Sequence, residues 1–136
     1  MEGLYSKIQK IEDEVKKHEH VEGQVGFYFL SRKVAMSLED LSNLKSTLLE
    51  EKIIGDEDKV FLVDADDPCE DIKAVCNDYY ISSEFAQAFA DVIEDADKYY
   101  KVAADGFYER TGYLWADCRV VSKDGEYVLM VFYICD

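Results

Sequence analysis

Residues 113–134 read YLWADCRVVSKDGEYVLMVFYI, and this stretch decides the fold. Two apolar runs flank Ser122-Lys123-Asp124-Gly125. Asp-Gly between such runs signals a two-residue hairpin turn, because both turn positions need positive φ. Placing Asp124-Gly125 in the turn sets the register. On one face Val120 then meets Leu129, Cys118 meets Val131 and Ala116 meets Tyr133. The other face pairs Val121 with Val128 and Trp115 with Ile134, and sets Asp117 and Arg119 opposite Phe132 and Met130. The run 126–134 is apolar on both faces, which predicts a strand inside a sheet and not at its edge. Asp117 and Arg119, two apart, share a sheet face. They are expected to form an ion pair beneath a helix or to mark a solvated face, a structural role in both cases.

Upstream of the hairpin the apolar period becomes helical. Phe85, Phe89, Val92, Ile93, Ala96 and Tyr100 mark the core side of a helix that Ser82 or Ser83 caps and Asp105-Gly106 ends. Asp67-Pro68-Cys69-Glu70 opens a shorter helix reaching about Asn77, with Asp67 as cap and Pro68 in the first turn. Ser37 and Asp40 resemble a capping box for a helix with Leu38, Leu41, Leu44 and Leu48 inside and Gly55 as its stop. Leu4, Ile8, Ile11 and Val15 form the stripe of a first helix ending near His20 to Gly23. Residues 25–30 and 59–63 read as strands, and 107–110 as a candidate further one. The order predicts an α+β protein: about four helices packed on a mainly antiparallel sheet with a C-terminal β-hairpin, residues 1–136 forming a single domain. Val128, Met130, Phe132, Ile134, Phe85, Phe89 and Val92 are the expected core.

The 136 residues carry a net charge of −15, and that charge is concentrated. Residues 50–97 hold 16 Asp and Glu against 3 Lys, a balance of −13, while each flank contributes −1. A focused negative field attracts basic partners and speeds encounter with them. With 49% hydrophobic residues the chain has the means to build a core, which argues against disorder. No leader is visible, and the longest uncharged apolar run, 127–135, falls well short of the roughly 20 residues a spanning helix needs. A cytoplasmic protein without membrane contact is expected. The four cysteines form no CxxC pair and read as buried reduced thiols, without zinc-ligand spacing.

One motif points to chemistry. Val60-Phe61-Leu62-Val63-Asp64-Ala65-Asp66 is similar to the first motif of haloacid-dehalogenase-like phosphatases, an apolar strand followed by Asp-x-Asp. The resemblance implies a small Mg²⁺-dependent phosphoryl enzyme using Asp64 and Asp66, with Asp64 as nucleophile. It covers about seven residues and departs at Pro68, where that family has Thr or Val. No series of βα units follows to supply the remaining acids and lysine. As a calcium loop the same acids fail, with Cys69 at the sixth position and Val75 at the twelfth. His18 and His20, two apart at a helix end, would point to different faces and share no metal. No catalytic residue, metal or cofactor is therefore expected.

What remains is the acid field and its tyrosines. Asp64, Asp66 and Asp67 precede one helix; Glu84, Asp91, Glu94, Asp95 and Asp97 accompany the next; Tyr79, Tyr80, Tyr99 and Tyr100 bracket the region. Acids between Asp91 and Asp97 give roughly one charge per 2.6 Å of helix at 1.5 Å rise, comparable to duplex DNA at about 1.7 Å. Tyrosine beside charge is favoured at binding surfaces. These twelve residues are the candidate partner-binding surface. The expected function is that of an acidic inhibitor that blocks a basic nuclease or other nucleic-acid-binding protein, by mimicry or occlusion, as immunity proteins and anti-CRISPR proteins do. It would not bind nucleic acid itself. An interaction domain for a basic peptide is the remaining alternative.

Overall fold

A computed structural model describes residues 2–55, 58–104 and 115–135, with Trp115 described in its backbone only. The strand read as internal is internal. Six strands, β1 (His20–Glu22), β2 (Val25–Val34), β3 (Val60–Asp64), β4 (Lys98–Ala104), β5 (Trp115–Lys123) and β6 (Glu126–Cys135), form one antiparallel sheet ordered β1-β2-β6-β5-β4-β3. β6 lies between β2 and β5, and its hairpin with β5 has the expected register, Val120 opposite Leu129 and Asp117 opposite Phe132. Asp124 and Gly125 take φ of 52° and 80°, the positive values such a turn requires.

Four helices complete the described fold: α1 (Leu4–Lys16), α2 (Ser42–Glu50), α3 (Pro68–Asp78) and α4 (Ser83–Glu94). Helices α1, α3 and α4 cover one face, packing Ile8, Ile72 and Phe89 against Phe29, Met130 and Phe132. On the other face Leu44 and Leu48 of α2 pack with Leu30, Val120, Leu129 and Val131. Val128, Met130, Phe132 and Phe89 are fully buried, while Phe85, Val92 and Ile134 are half-buried against them. A strand covered on both sides needs apolar residues at both parities, and β6 has them.

Several boundaries differ from the sequence expectations. α1 stops at Lys16, and His20 belongs to β1, not to a helix end. Ser37 and Asp40 bridge each other in a turn, so α2 starts later; Asp40 accepts hydrogen bonds from the Ser42 amide at 3.0 Å and hydroxyl at 2.6 Å. α2 ends not at Gly55 but in a left-handed turn at Lys52 (φ 61°), where Lys52 N donates to Leu49 O and Ile53 N to Leu48 O. Those paired bonds satisfy two terminal carbonyls in a Schellman arrangement. The last helix stops at Glu94, and Tyr100 lies on β4 instead of continuing the helical stripe. The candidate strand 107–110, the stop at Asp105-Gly106 and the hairpin ends Tyr113 and Leu114 lie outside the described residues. The sheet is antiparallel throughout, and the Asp64 strand is at its edge, so the doubly wound parallel sheet implied by the phosphatase motif is not this fold.

Candidate acidic interface

α3 and α4 pack as an antiparallel pair, and each is capped as its sequence dictates. Asp67 accepts from Glu70 N at 3.2 Å and Ser82 from Phe85 N at 3.4 Å. Small Ala86 and Ala90 let the helices approach, and the Cys69 thiol reaches Ala90 O at 3.6 Å. This contact brings the start of α3 to the end of α4. Burial pushes the Cys69 thiol up, and Glu94, Asp67 and Asp91 push it further by their charge, with Lys73 acting against them. Three exposed carboxylates from two helices thus surround one thiol, with Asp64 and Asp66 exposed in the segment leading into α3.

Among the described residues, none of Asp64, Asp66, Asp67, Asp91 and Glu94 has a Lys or Arg partner. Elsewhere Glu2, Glu14, Glu51 and Glu126 are held by Lys10, Lys17, Arg32 and Lys33. Asp91 accepts only from Gln87, at 2.8 Å, which leaves its charge uncompensated. The acids at the end of α4 also sit at the negative pole of the helix, with no basic residue in its last turn.

Other members of the expected surface are placed differently. Asp95 binds Lys123 at 2.5 Å, which holds its carboxyl below the ordinary value. Asp97 accepts from the Asp124 amide at 2.8 Å and so braces the β5–β6 turn. These two acids stitch the end of α4 to the hairpin. Glu84 is exposed but lies at the opposite end of α4, roughly 15 Å from Glu94 at 1.5 Å per residue. Tyr80 is exposed beside it, and Tyr100 is half-buried on β4.

Tyr79 and Tyr99 are not surface anchors. Both are buried, donating to Asp117 at 2.8 Å and to Asp71 at 2.6 Å. Arg119 pairs not chiefly with Asp117, 3.9 Å away, but with Asp71, through Nε at 2.6 Å and Nη2 at 3.3 Å. Burial pushes the Asp71 carboxyl up, but the bonds from Arg119 and Tyr99 outweigh it and hold the group below its usual range. Burial and the bond to Asp71 push the Tyr99 hydroxyl well up. Cys76 and Cys118 are buried thiols as expected, and burial alone pushes Cys76 up to about 12.

The His18-Glu19-His20 segment, read as a solvated helix end, instead meets Tyr80. His20 stacks on its ring with centroids 4.0 Å apart. Among the described residues no group of three or more His, Cys, Asp or Glu is arranged to hold a metal ion. No described helix is long and apolar enough to cross a membrane. No protein-family model, curated protein or solved structure matches the chain.

Proposed function

We propose that this chain is an acidic inhibitor that binds a basic nuclease or other nucleic-acid-binding protein. The α3–α4 end would stand in for the phosphate backbone, or occlude the cleft that receives it. One observation carries the reading: Asp67, Asp91 and Glu94 act together on the Cys69 thiol from two helices, outnumbering Lys73, and none of the three forms an ion pair with a described Lys or Arg. Carboxylates so placed meet Lys and Arg side chains that would otherwise hold phosphates. Desolvated contacts supply most of the affinity in such pairs, while the charge sets encounter rate and selectivity.

The test begins with capture of a partner by the intact protein at low and high salt, followed by competition with duplex DNA. Reversal of Asp67, Asp91 and Glu94 to Lys is compared with reversal of Asp13, Glu14 and Glu39, all exposed. Glu12 is unsuitable as a control because it is buried and accepts from Ser31 at 2.5 Å. Duplex DNA should displace the partner, and the first triple variant should lose both binding and inhibition while the second keeps them. The loss should lie in the on-rate and shrink as salt rises. Equal losses in the two variants would reduce the effect to bulk charge and end the mimicry reading.

A further inference from the structure

At the far end of the α3–α4 pair, away from Asp67 and Glu94, a cavity of about 320 Å³ is walled by the rings of His18, His20, Phe27, Tyr80 and Phe85. Tyr80 lies with its ring nearly parallel to His20 (17°), and Phe27 meets it edge-on at 4.7 Å. His18 and Phe85 stack at 6.0 Å. Glu19 and Glu84 also line the cavity, and no described Lys or Arg does. The Tyr80 hydroxyl lies 3.4 Å from Glu22. The lining is therefore aromatic and anionic together.

Three features set this lining apart from an ordinary solvated surface. Tyr80 has a φ of 60°, a left-handed conformation that favours glycine or asparagine, yet the position carries an aromatic residue, 52% exposed as a whole. His20 Nε2 is buried and has no hydrogen-bond partner among the described residues, an arrangement that native proteins seldom leave unmet. Glu19 stands at the edge of the cavity, where partial desolvation pushes its carboxyl up and Lys16 acts against that shift.

We propose that this cavity receives the guanidinium of an arginine side chain presented by a basic protein. A guanidinium is planar and weakly hydrated, so it stacks on rings while its fork of N–H donors reaches carboxylates. A lysine ammonium is compact and strongly hydrated, and it gains less from flat rings. The net charge of −15 on this chain favours a cationic occupant over an acidic or neutral one. The arginine's source rests on the inhibitor reading above; the cavity's chemistry does not.

The probe is N-acetyl-arginine amide, titrated into the full chain and followed through the ring resonances of His20, Tyr80 and Phe85. Saturable shifts are expected, abolished in Tyr80→Asn, whose side chain tolerates the left-handed backbone, so loss of binding is not loss of fold. Glu19→Gln with Glu84→Gln should weaken binding by about threefold or more, the scale of exposed ion pairs. Absence of saturable shifts, unchanged shifts in Tyr80→Asn, or equal shifts with the lysine analogue would each overturn the proposal. The two readings fail separately. A cavity that ignores the probe while Asp67, Asp91 and Glu94 still govern partner capture would sink only the arginine site. A cavity that binds it while those acids prove irrelevant would sink only the mimicry surface.

Discussion

Arg119 carries its charge into the layer between α3 and the sheet, where its side chain is only 9% exposed and Asp71 meets it with two hydrogen bonds. A buried ion stripped of its partner is expensive, so Arg119→Ala should cost roughly 3–5 kcal/mol in a urea titration. Tyr99→Phe removes one donor to Asp71 and should cost about 1 kcal/mol. The Asp71 carboxyl is held below its ordinary value, so its ionisation favours the folded state above the unfolded carboxylate range. That contribution drains away as pH falls below the ordinary carboxylate range and on through the lower folded value. Protonation of the exposed surplus acids relieves repulsion and acts in the opposite direction, so the comparison with Asp71→Asn isolates the network. The acid limb of its stability curve should be flatter than that of the parent protein. Sequence neighbourhood places Tyr79 and Tyr99 among acids and so at the surface. Their burial follows from Asp71 and Asp117, which accept their hydroxyls across 28 and 38 residues. No local pattern reports such distant satisfaction.

At the scale of elements, apolar periodicity locates α1, α2 and α4, the Asp67-Pro68 cap signal locates α3, and the Asp124-Gly125 turn sets the β5–β6 hairpin and its register. Periodicity fails where an element is short or its period ambiguous. β1 spans three residues, with His20 half-buried and Val21 and Glu22 exposed. Tyr100 stands four residues after Ala96, a helical spacing that carries the α4 stripe into β4, where Tyr99 and Val102 are the buried residues. The end of α2 is hidden for another reason: Lys52 occupies a left-handed position where glycine is the usual signal, whereas the end of α3 at Asp78 falls within a residue of the expected Asn77. The cavity walled by Tyr80 was equally silent, since it joins β1, β2 and the α3–α4 turn. The acids at the end of α4 oppose the helix dipole, and this gives a test of purpose. Asp91→Lys and Glu94→Lys should each stabilise the fold by about 0.3–1 kcal/mol in thermal melts while weakening partner binding. Substitutions that stabilise the fold and cost function would mark these carboxylates as held against the helix's own preference.

Across the whole molecule, the unbalanced acids make the folded state repel itself. Raising ionic strength from about 0.01 M to 0.15 M shortens the screening length from about 30 Å to 8 Å and should raise the melting temperature. The triple Lys variant at Asp67, Asp91 and Glu94 should lose most of that salt response, and melts across a salt series would check it. The sheet order has a further consequence, for how the molecule is made. β2 pairs with β6, and residues 35–125 lie between them. At a synthesis rate of about 5–20 residues per second, Phe29 and Leu30 on β2 would wait roughly 5–18 s for the strand that covers their edge. During that interval a nascent chain presents an open, aromatic strand with α1 on one face and, in the sheet itself, no neighbour but the three residues of β1. The last described strand to leave the ribosome is the one that joins the two halves of the sheet. Chaperone occupancy on the ribosome should therefore rise with the emergence of β2 and fall only after β6.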